Sequence, residues 1–257
     1  MGGLMGMIYG GVCYVAFHAA FLYLVGFLTN FYVPKSIDGG AAGGTAVAVA
    51  VDLALIALFG LQHSVMARPA FKTWWTRIVP DTLERSTYVL ATSLVLGVIY
   101  GLWQPLPHVV WHVDHAAARG MLWTLFALGN LVVVAATFMI DHFDLLGLRQ
   151  VYLRWRGQRY SAPPFRVAWL YRVVRHPLYL GFFLVFWATP DMSVGHLLFA
   201  AGMSAYILVA VRYEERDLVT AFGDTYERYR EAVPMVVPRI ARKGCPFHAA
   251  SKSARSH

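Results

Sequence analysis

The feature that most limits what this chain can become is a series of almost uncharged apolar runs of bilayer length. Residues 7–33, 46–66, 87–103 and 121–140 are such runs, and about 20 helical residues cross the hydrocarbon core. Lipid offers no partners to backbone N–H and C=O groups, so each run is predicted to be helical. Residues 194–213 make a further full span. Residues 178–189 supply only about 18 Å of helix, too short to cross alone. Thr189-Pro190-Asp191-Met192-Ser193 separates the last two runs, so they read as a helical hairpin broken at proline. The expected fold is an all-α integral membrane protein with five to six transmembrane helices and a C-terminal helical hairpin. An amphipathic helix on the cytoplasmic side, residues 214–238, follows it. Residues 1–238 are expected to form one membrane-embedded domain, and 239–257 a basic disordered tail.

Charge placement agrees. Only 14% of residues are charged and 58% are hydrophobic, against about 25% charged in a globular protein. The net charge of +8 invites a nucleic-acid reading, but the basic residues lie between apolar runs and at the C-terminus. Arg68, Lys72, Arg77 and Arg85 are interleaved with Trp74 and Trp75, and Arg149 to Arg172 form a second basic stretch. The connections at Pro34 and His108 are nearly free of Lys and Arg. By the positive-inside rule both termini are cytoplasmic, and no nucleic-acid partner is expected. The first run lacks a basic leader and a small-residue cleavage motif, so it reads as a retained helix. Cys13 and Cys245 are expected to form neither a structural disulfide nor a metal site. His108, His112 and His115, with Asp114, have ligand-like spacing. They follow Pro105 and Pro107 on the outward side and read as a solvated loop, with no metal expected.

The chemistry is expected around Arg175-His176-Pro177, Glu214-Glu215 and a His-rich turn. Two carboxylates ending an apolar span need solvent or cations, and folding the hairpin brings Glu214 and Glu215 to the face that carries Arg175 and His176. The series Arg175-His176-Pro177-x-Tyr179-x-Gly181, then Glu214-Glu215, then Tyr226-x-x-Tyr229, resembles the isoprenylcysteine carboxyl methyltransferase and phospholipid methyltransferase superfamily of membrane enzymes. That resemblance implies S-adenosylmethionine (SAM) as cofactor and places these residues around it, with a cofactor half over about residues 141–238. Carboxylates suit the SAM ammonium, Arg and His its carboxylate, and aromatics its sulfonium. No Gly-x-Gly-x-x-Gly follows a strand, so the cofactor fold is not of Rossmann type.

Longer stretches, Leu61-Gln62-His63-Ser64-Val65-Met66-Ala67-Arg68 and Asp141-His142-Phe143-Asp144 through Val151 among them, are similar to the bacterial methanethiol S-methyltransferase family. The implied reaction is methylation of a small thiol, CH3SH, to dimethyl sulfide in the bacterial inner membrane, with Gln62, His63 and Arg149 on the substrate side. A thiol attacks as thiolate and alkyl thiols are no more acidic than Cys, about 8.5, so the attack gains from a base or from a nearby positive field. His142 is the first candidate, oriented by Asp144 or Asp141, and His63 the second. Two other readings stand beside this one. One is methylation of a lipid or prenylcysteine carboxylate. The other is a transport or accessory protein of nitrogen-oxide metabolism.

Overall fold

A computed structural model describes residues 3–41 and 43–238, so the expected C-terminal tail lies outside the described residues. The element order is α1 (Gly3–Thr29), α2 (Thr45–Ala67), α3 (Pro69–Trp75), α4 (Asp81–Leu102), β1 (Val109–His112), α5 (Ala116–Ile140), α6 (His142–Leu145) and α7 (Leu148–Trp155). A short 3-10 turn (Trp169–Arg172) leads to α8 (Pro177–Trp187), β2 (Asp191–Ser193), α9 (Val194–Phe222) and α10 (Asp224–Ala232). Among the described residues five helices, α1, α2, α4, α5 and α9, are long and apolar enough to cross a membrane. The protein is an all-helical integral membrane protein, with α8 as a short sixth apolar helix.

Local chemistry sets the boundaries. Pro69 and Pro177 open α3 and α8, where a missing N–H removes no helical bond. Asp81 and Glu84 occupy the first turn of α4, matching the positive end of the helix dipole. Ser193 caps α9 by accepting from the His196 backbone N–H at 3.0 Å. Gly223, at φ +52°, separates α9 from α10. The amphipathic helix expected over residues 214–238 is thus two pieces. Residues 214–222 prolong the membrane helix, and only Asp224–Ala232 forms a separate one, because a left-handed residue interrupts helical bonding.

The helices pack in the order α1, α4, α2, α9, α8, α5. Their shared core joins Phe27 and Leu28 of α1, Phe59 of α2, Trp103 after α4, Phe126 of α5, Phe186 of α8 and Phe199 of α9. The hairpin of α8 and α9 exists, but the longest contact of α8 is with α5. There two glycines meet. A Cβ on Gly181 would lie 2.8 Å from the Gly129 carbonyl oxygen, and one on Gly129 would lie 2.9 Å from that of Gly181. Such small-residue crossings let membrane helices associate through close backbone contact.

At the opposite end from the Arg-rich loop, β1 and β2 pair antiparallel, with Val109 opposite Ser193 and His112 opposite Asp191. This ribbon replaces the expected solvated loop. His112 bonds Asp191 at 2.5 Å and Asp114 at 2.9 Å, and Arg119 grips Asp191 through both carboxylate oxygens at 3.0 and 2.8 Å. Ser193 also donates to Asp38, tying in the connection after α1.

Gly181→Ala is expected to lower the unfolding midpoint in detergent, since overpacking costs about 1–3 kcal/mol. Differential scanning fluorimetry of Gly181→Ala beside Gly157→Ala checks it. Gly157 sits at φ +70° with open space around its α-carbon, so it reports backbone strain alone. A smaller loss at Gly181 than at Gly157 would contradict the close crossing.

Candidate functional site

Where α8 begins, proline dictates the geometry. The residue before proline avoids the helical region, and His176 is held at φ −125°, ψ 67°. Its backbone N–H and that of Arg175 therefore bond elsewhere, to Met235 and Pro234 carbonyls at 3.0 and 2.8 Å. The segment after α10 is in this way strapped across the start of α8. The Arg175 guanidinium donates Nε to Glu215 at 2.7 Å and Nη1 to the Arg230 and Val233 carbonyls at 2.7 and 2.5 Å. His176 Nε2 meets the same Glu215 oxygen at 3.1 Å.

The paired carboxylates have different surroundings. Glu215 is 13% exposed and engaged by the Arg175 guanidinium and the His176 ring, whereas Glu214 is 44% exposed. Glu214 receives one short bond, from the Tyr179 hydroxyl at 2.6 Å, with His176 Nδ1 at 3.9 Å. A carboxylate has about four acceptor positions, so Glu214 keeps capacity for an incoming ammonium. Beneath it Tyr226, Tyr229 and Val233 are buried with Phe165 and Phe222. Tyr229 donates to the Tyr171 carbonyl at 2.6 Å. The Tyr226 hydroxyl is buried with no hydrogen-bond partner among the described residues, and burial raises its pKa.

The structure thus brings Arg175, His176, Tyr179, Glu214 and Glu215 into direct contact. Pro177 sets the backbone at that point, and Tyr226 and Tyr229 form the aromatic packing under it. Gly181 sits in the α5–α8 crossing. The donor set fits an amino-acid-like cation bearing an aromatic group, through Glu214, the remaining Arg175 N–H groups and the orphaned Tyr226 hydroxyl.

The histidines carry a pattern that sequence reasoning missed. His142 is buried, its Nδ1 2.8 Å from Thr137 Oγ1 and its Nε2 2.9 Å from the Tyr14 hydroxyl, with Phe138 stacked 4.2 Å away. Thr137 gives its proton to the Val134 carbonyl, so its oxygen accepts Nδ1–H and Nε2 accepts from Tyr14. His63 is wired alike. Thr92 donates to the Tyr88 carbonyl at 3.0 Å and sits 3.2 Å from His63 Nδ1, while the Tyr88 hydroxyl lies 2.8 Å from Nε2. Polar residues four apart on an apolar span share one face, and Tyr88 with Thr92 was the available signal.

The expected orientation of His142 by Asp141 or Asp144 is not what the structure shows. Asp141 caps α6 by accepting from Asp144 N at 3.1 Å, and both carboxylates hold Arg149 at 3.4 Å. The short α6 turns them away from the ring. Asp144, its pKa raised by burial, lines a cavity of about 450 Å³ with Lys72, Arg85, Gln150 and Tyr160. The Glu214–Glu215 cluster does not line that cavity. Gln62 donates to Met66 Sδ at 3.1 Å, beside His63. Among the described residues, no group of three or more His, Cys, Asp or Glu could hold a metal.

No family model matches the chain, and no solved structure matches it. Curated relatives do. The chain is 52% identical over 232 residues to a methanethiol S-methyltransferase of Mycobacterium tuberculosis, covering 90% of this chain and 95% of that one. It is 52% identical over 237 residues to methanethiol S-methyltransferase 2 of Bradyrhizobium diazoefficiens, covering 91% and 90%. A more distant relative is Nurim of Xenopus laevis, 31% identical over 229 residues, 80% of this chain and 79% of that protein.

Two measurements follow from the geometry. Removing one partner of a buried ion pair costs about 3–5 kcal/mol, so Glu215→Gln is expected to destabilise the fold strongly. Glu214→Gln, at a half-exposed position, is expected to stay within about 1 kcal/mol of the parent. Equal losses in urea unfolding would remove the distinction. Burial, helped by nearby His18, lowers the His142 pKa from 6.5. Its contribution to stability is then present above pH 6.5 and lost as the pH falls, because the unfolded chain binds the proton more readily. In His142→Gln this acid arm of the stability curve should flatten.

Proposed function

The chain belongs to the methanethiol S-methyltransferase family, and on that premise we propose that it moves a methyl group from SAM to methanethiol, yielding dimethyl sulfide, at the cytoplasmic face of the membrane. It is a membrane methyltransferase, which sets the transport and accessory readings aside. The observation that carries the reading is the inequality of the paired carboxylates. Glu215 is paired with Arg175 and bonded by His176, while Glu214 stays half open and carries one strong protein hydrogen bond.

Glu214 is proposed to take the SAM ammonium, with Tyr179 fixing the carboxylate and His176 beside it. Arg175 retains its Nη2 hydrogens for the SAM carboxylate, and Tyr226 offers a buried hydroxyl. When bound, SAM supplies an electrophilic methyl group on a sulfonium. This chain's residues hold that cation against Glu214 and the aromatic rings, and they screen it from water with the strap after α10. Pro177 and Gly181 serve the same site indirectly, by setting where α8 starts and how closely it lies on α5. Tyr229 holds the strap's root. Asp144, Arg149 and Gln62 are proposed to shape the approaches to the site.

Methanethiol is small and neutral, so recognition needs little beyond apolar walls. His63 is surrounded by them, stacked 5.2 Å from Phe59. The distribution of Lys and Arg supports both termini facing the cytoplasm, and the bacterial relatives support the inner membrane. Residues 1–238 act in this reading as one methyltransferase domain, with SAM held by residues of about 141–238.

Purified protein given SAM and methanethiol is expected to release dimethyl sulfide into the headspace, with none formed when SAM is withheld. Calorimetry should show SAM binding to Glu214→Gln weakened by about 1.5–3 kcal/mol, the scale of one bond to a charged group. Unchanged SAM affinity in that variant would mean the cofactor lies elsewhere.

A further inference from the structure

Two histidines share one wiring, and their surroundings tell them apart. His142 and its Tyr14 lie with Phe138 and Phe143, which are 58% and 50% exposed, and make no hydrogen bond or ion pair to the carboxylate cluster among those described. His63 faces inward. Its ring lies 6.2 Å from that of Tyr206, and Phe59 packs against both. Tyr206 stands eight residues before Glu214 on α9, about 12 Å up the same helical face. Ring contacts thus join Tyr206, on the helix that carries Glu214, to the Tyr88–His63 pair.

From this placement we propose that the Tyr88 hydroxyl, backed by His63 and oriented by Thr92, accepts the proton of the thiol substrate. This rests on the reading that the chain methylates methanethiol, and it adds the group that makes the thiol nucleophilic. The relay uses the arrangement with the shorter bonds, since Thr92 also lies 3.5 Å from the Gln62 amide and the Tyr88 hydroxyl 3.4 Å from the His63 carbonyl. Thr92 donates to the Tyr88 carbonyl, which leaves its oxygen to accept His63 Nδ1–H and leaves Nε2 as a bare acceptor aimed at the Tyr88 hydroxyl. The Tyr88 oxygen has no donor bonded to it among the described residues, so its lone pairs are free.

Arg85 lies over the Tyr88 ring at 5.0 Å, fixed by its own bond to the Leu145 carbonyl at 2.7 Å. A guanidinium there favours negative charge on the phenol oxygen and opposes positive charge on the neighbouring His63 ring, so the proton's stay on His63 is brief. The other titratable or charged groups facing the pair are Glu84 on α4, Tyr206 and Glu214 on α9, and Tyr14 on α1, which packs against Tyr88. Arg68 on α2 bears on Tyr206.

The step balances as follows. The S–H proton passes to Tyr88 Oη while the Tyr88 proton passes to His63 Nε2, leaving an imidazolium with its Nδ1–H still on Thr92. The thiol sulfur uses its electron pair to form the new C–S bond to the methyl carbon. The bond from that carbon to the sulfonium sulfur breaks, and its pair stays on that sulfur. The imidazolium later releases its Nε2 proton to water, and Tyr88 keeps the proton it took from the thiol.

The test compares Tyr88→Phe, His63→Gln and Tyr14→Phe in purified, detergent-solubilised protein, with turnover of methanethiol followed from pH 6 to 10. Tyr88→Phe and His63→Gln are expected to lose about 10²–10⁴-fold in kcat at pH 7, with KM nearly unchanged. The defect should shrink about tenfold per pH unit as the free thiol ionises, and it should vanish with a thiol already ionised at the assay pH. Tyr14→Phe is expected to follow the parent throughout. Independently of turnover, nitrogen NMR of histidine-labelled protein without SAM should report a bare Nε2 on His63 whose resonance moves in Tyr88→Phe. Parental rates in Tyr88→Phe, a defect independent of pH and thiol acidity, or the pH-dependent defect appearing in Tyr14→Phe would each overturn the assignment. Absence of dimethyl sulfide from the parent protein would overturn the reaction itself, a result separable from a parent that works and a Tyr88→Phe that works equally well.

Discussion

The structure depends on a carboxylate that is not free. Glu215 sits near the end of a membrane helix, 13% exposed, where an unpaired charge would be costly. Arg175 pairs with it and His176 bonds the same oxygen, and Arg175 extends the tie to the last turn of α10 and the chain beyond. Three stretches distant in sequence, at the start of α8, the end of α9 and the residues after α10, thus close around one oxygen. Because Glu215 is satisfied by protein, its neighbour Glu214 can be left incompletely satisfied. One carboxylate holds the fold, and the other remains available for a ligand.

The same rule governs the polar groups deeper in the bundle. Serine, threonine and tyrosine hydroxyls in an apolar span must find acceptors, and here they find helix carbonyls first. Thr92 and Thr137 each return a proton to their own helix. That local bond decides which nitrogen of the adjacent imidazole is bare. Backbone satisfaction, a requirement of any membrane helix, therefore sets the proton polarity of two side-chain networks.

Much of this was legible in the chain. The long spans showed themselves because hydropathy over 18 or more residues is a strong signal, and α2 and α5 fall within a few residues of expectation. Arg175, His176, Tyr179 and the two glutamates could be grouped because a hairpin returns the chain to the face it left. Other features were hidden for definite reasons. Strands of four and three residues are too short for alternation to register, so the β1–β2 ribbon read as a loop. The two partners of His142 come from other helices, Tyr14 of α1 being 128 residues away and Thr137 of α5 five residues before it, whereas Asp141 and Asp144 flank the ring in sequence but turn to Arg149. Gly181 lay inside a motif, and its contact with Gly129 follows only from how two helices cross.

The short α8 has a consequence for the medium in which the site works. Eleven residues rise about 16 Å, while the hydrocarbon layer is about 30 Å thick. The rest of that column is filled by the chain before Pro177 and the strap after α10, both rich in backbone polar groups. Glu214 and Glu215, whose side chains lean toward the start of α9, point into this notch. The hydrocarbon phase is in effect indented from one side. A hydrophilic cation can advance from water as far as the notch, and an oil-soluble thiol can arrive from the bilayer without leaving it. For the reaction proposed above, the shortened helix would work as a phase-transfer device: two reactants with opposite solubilities would meet at a boundary that the protein has moved inward.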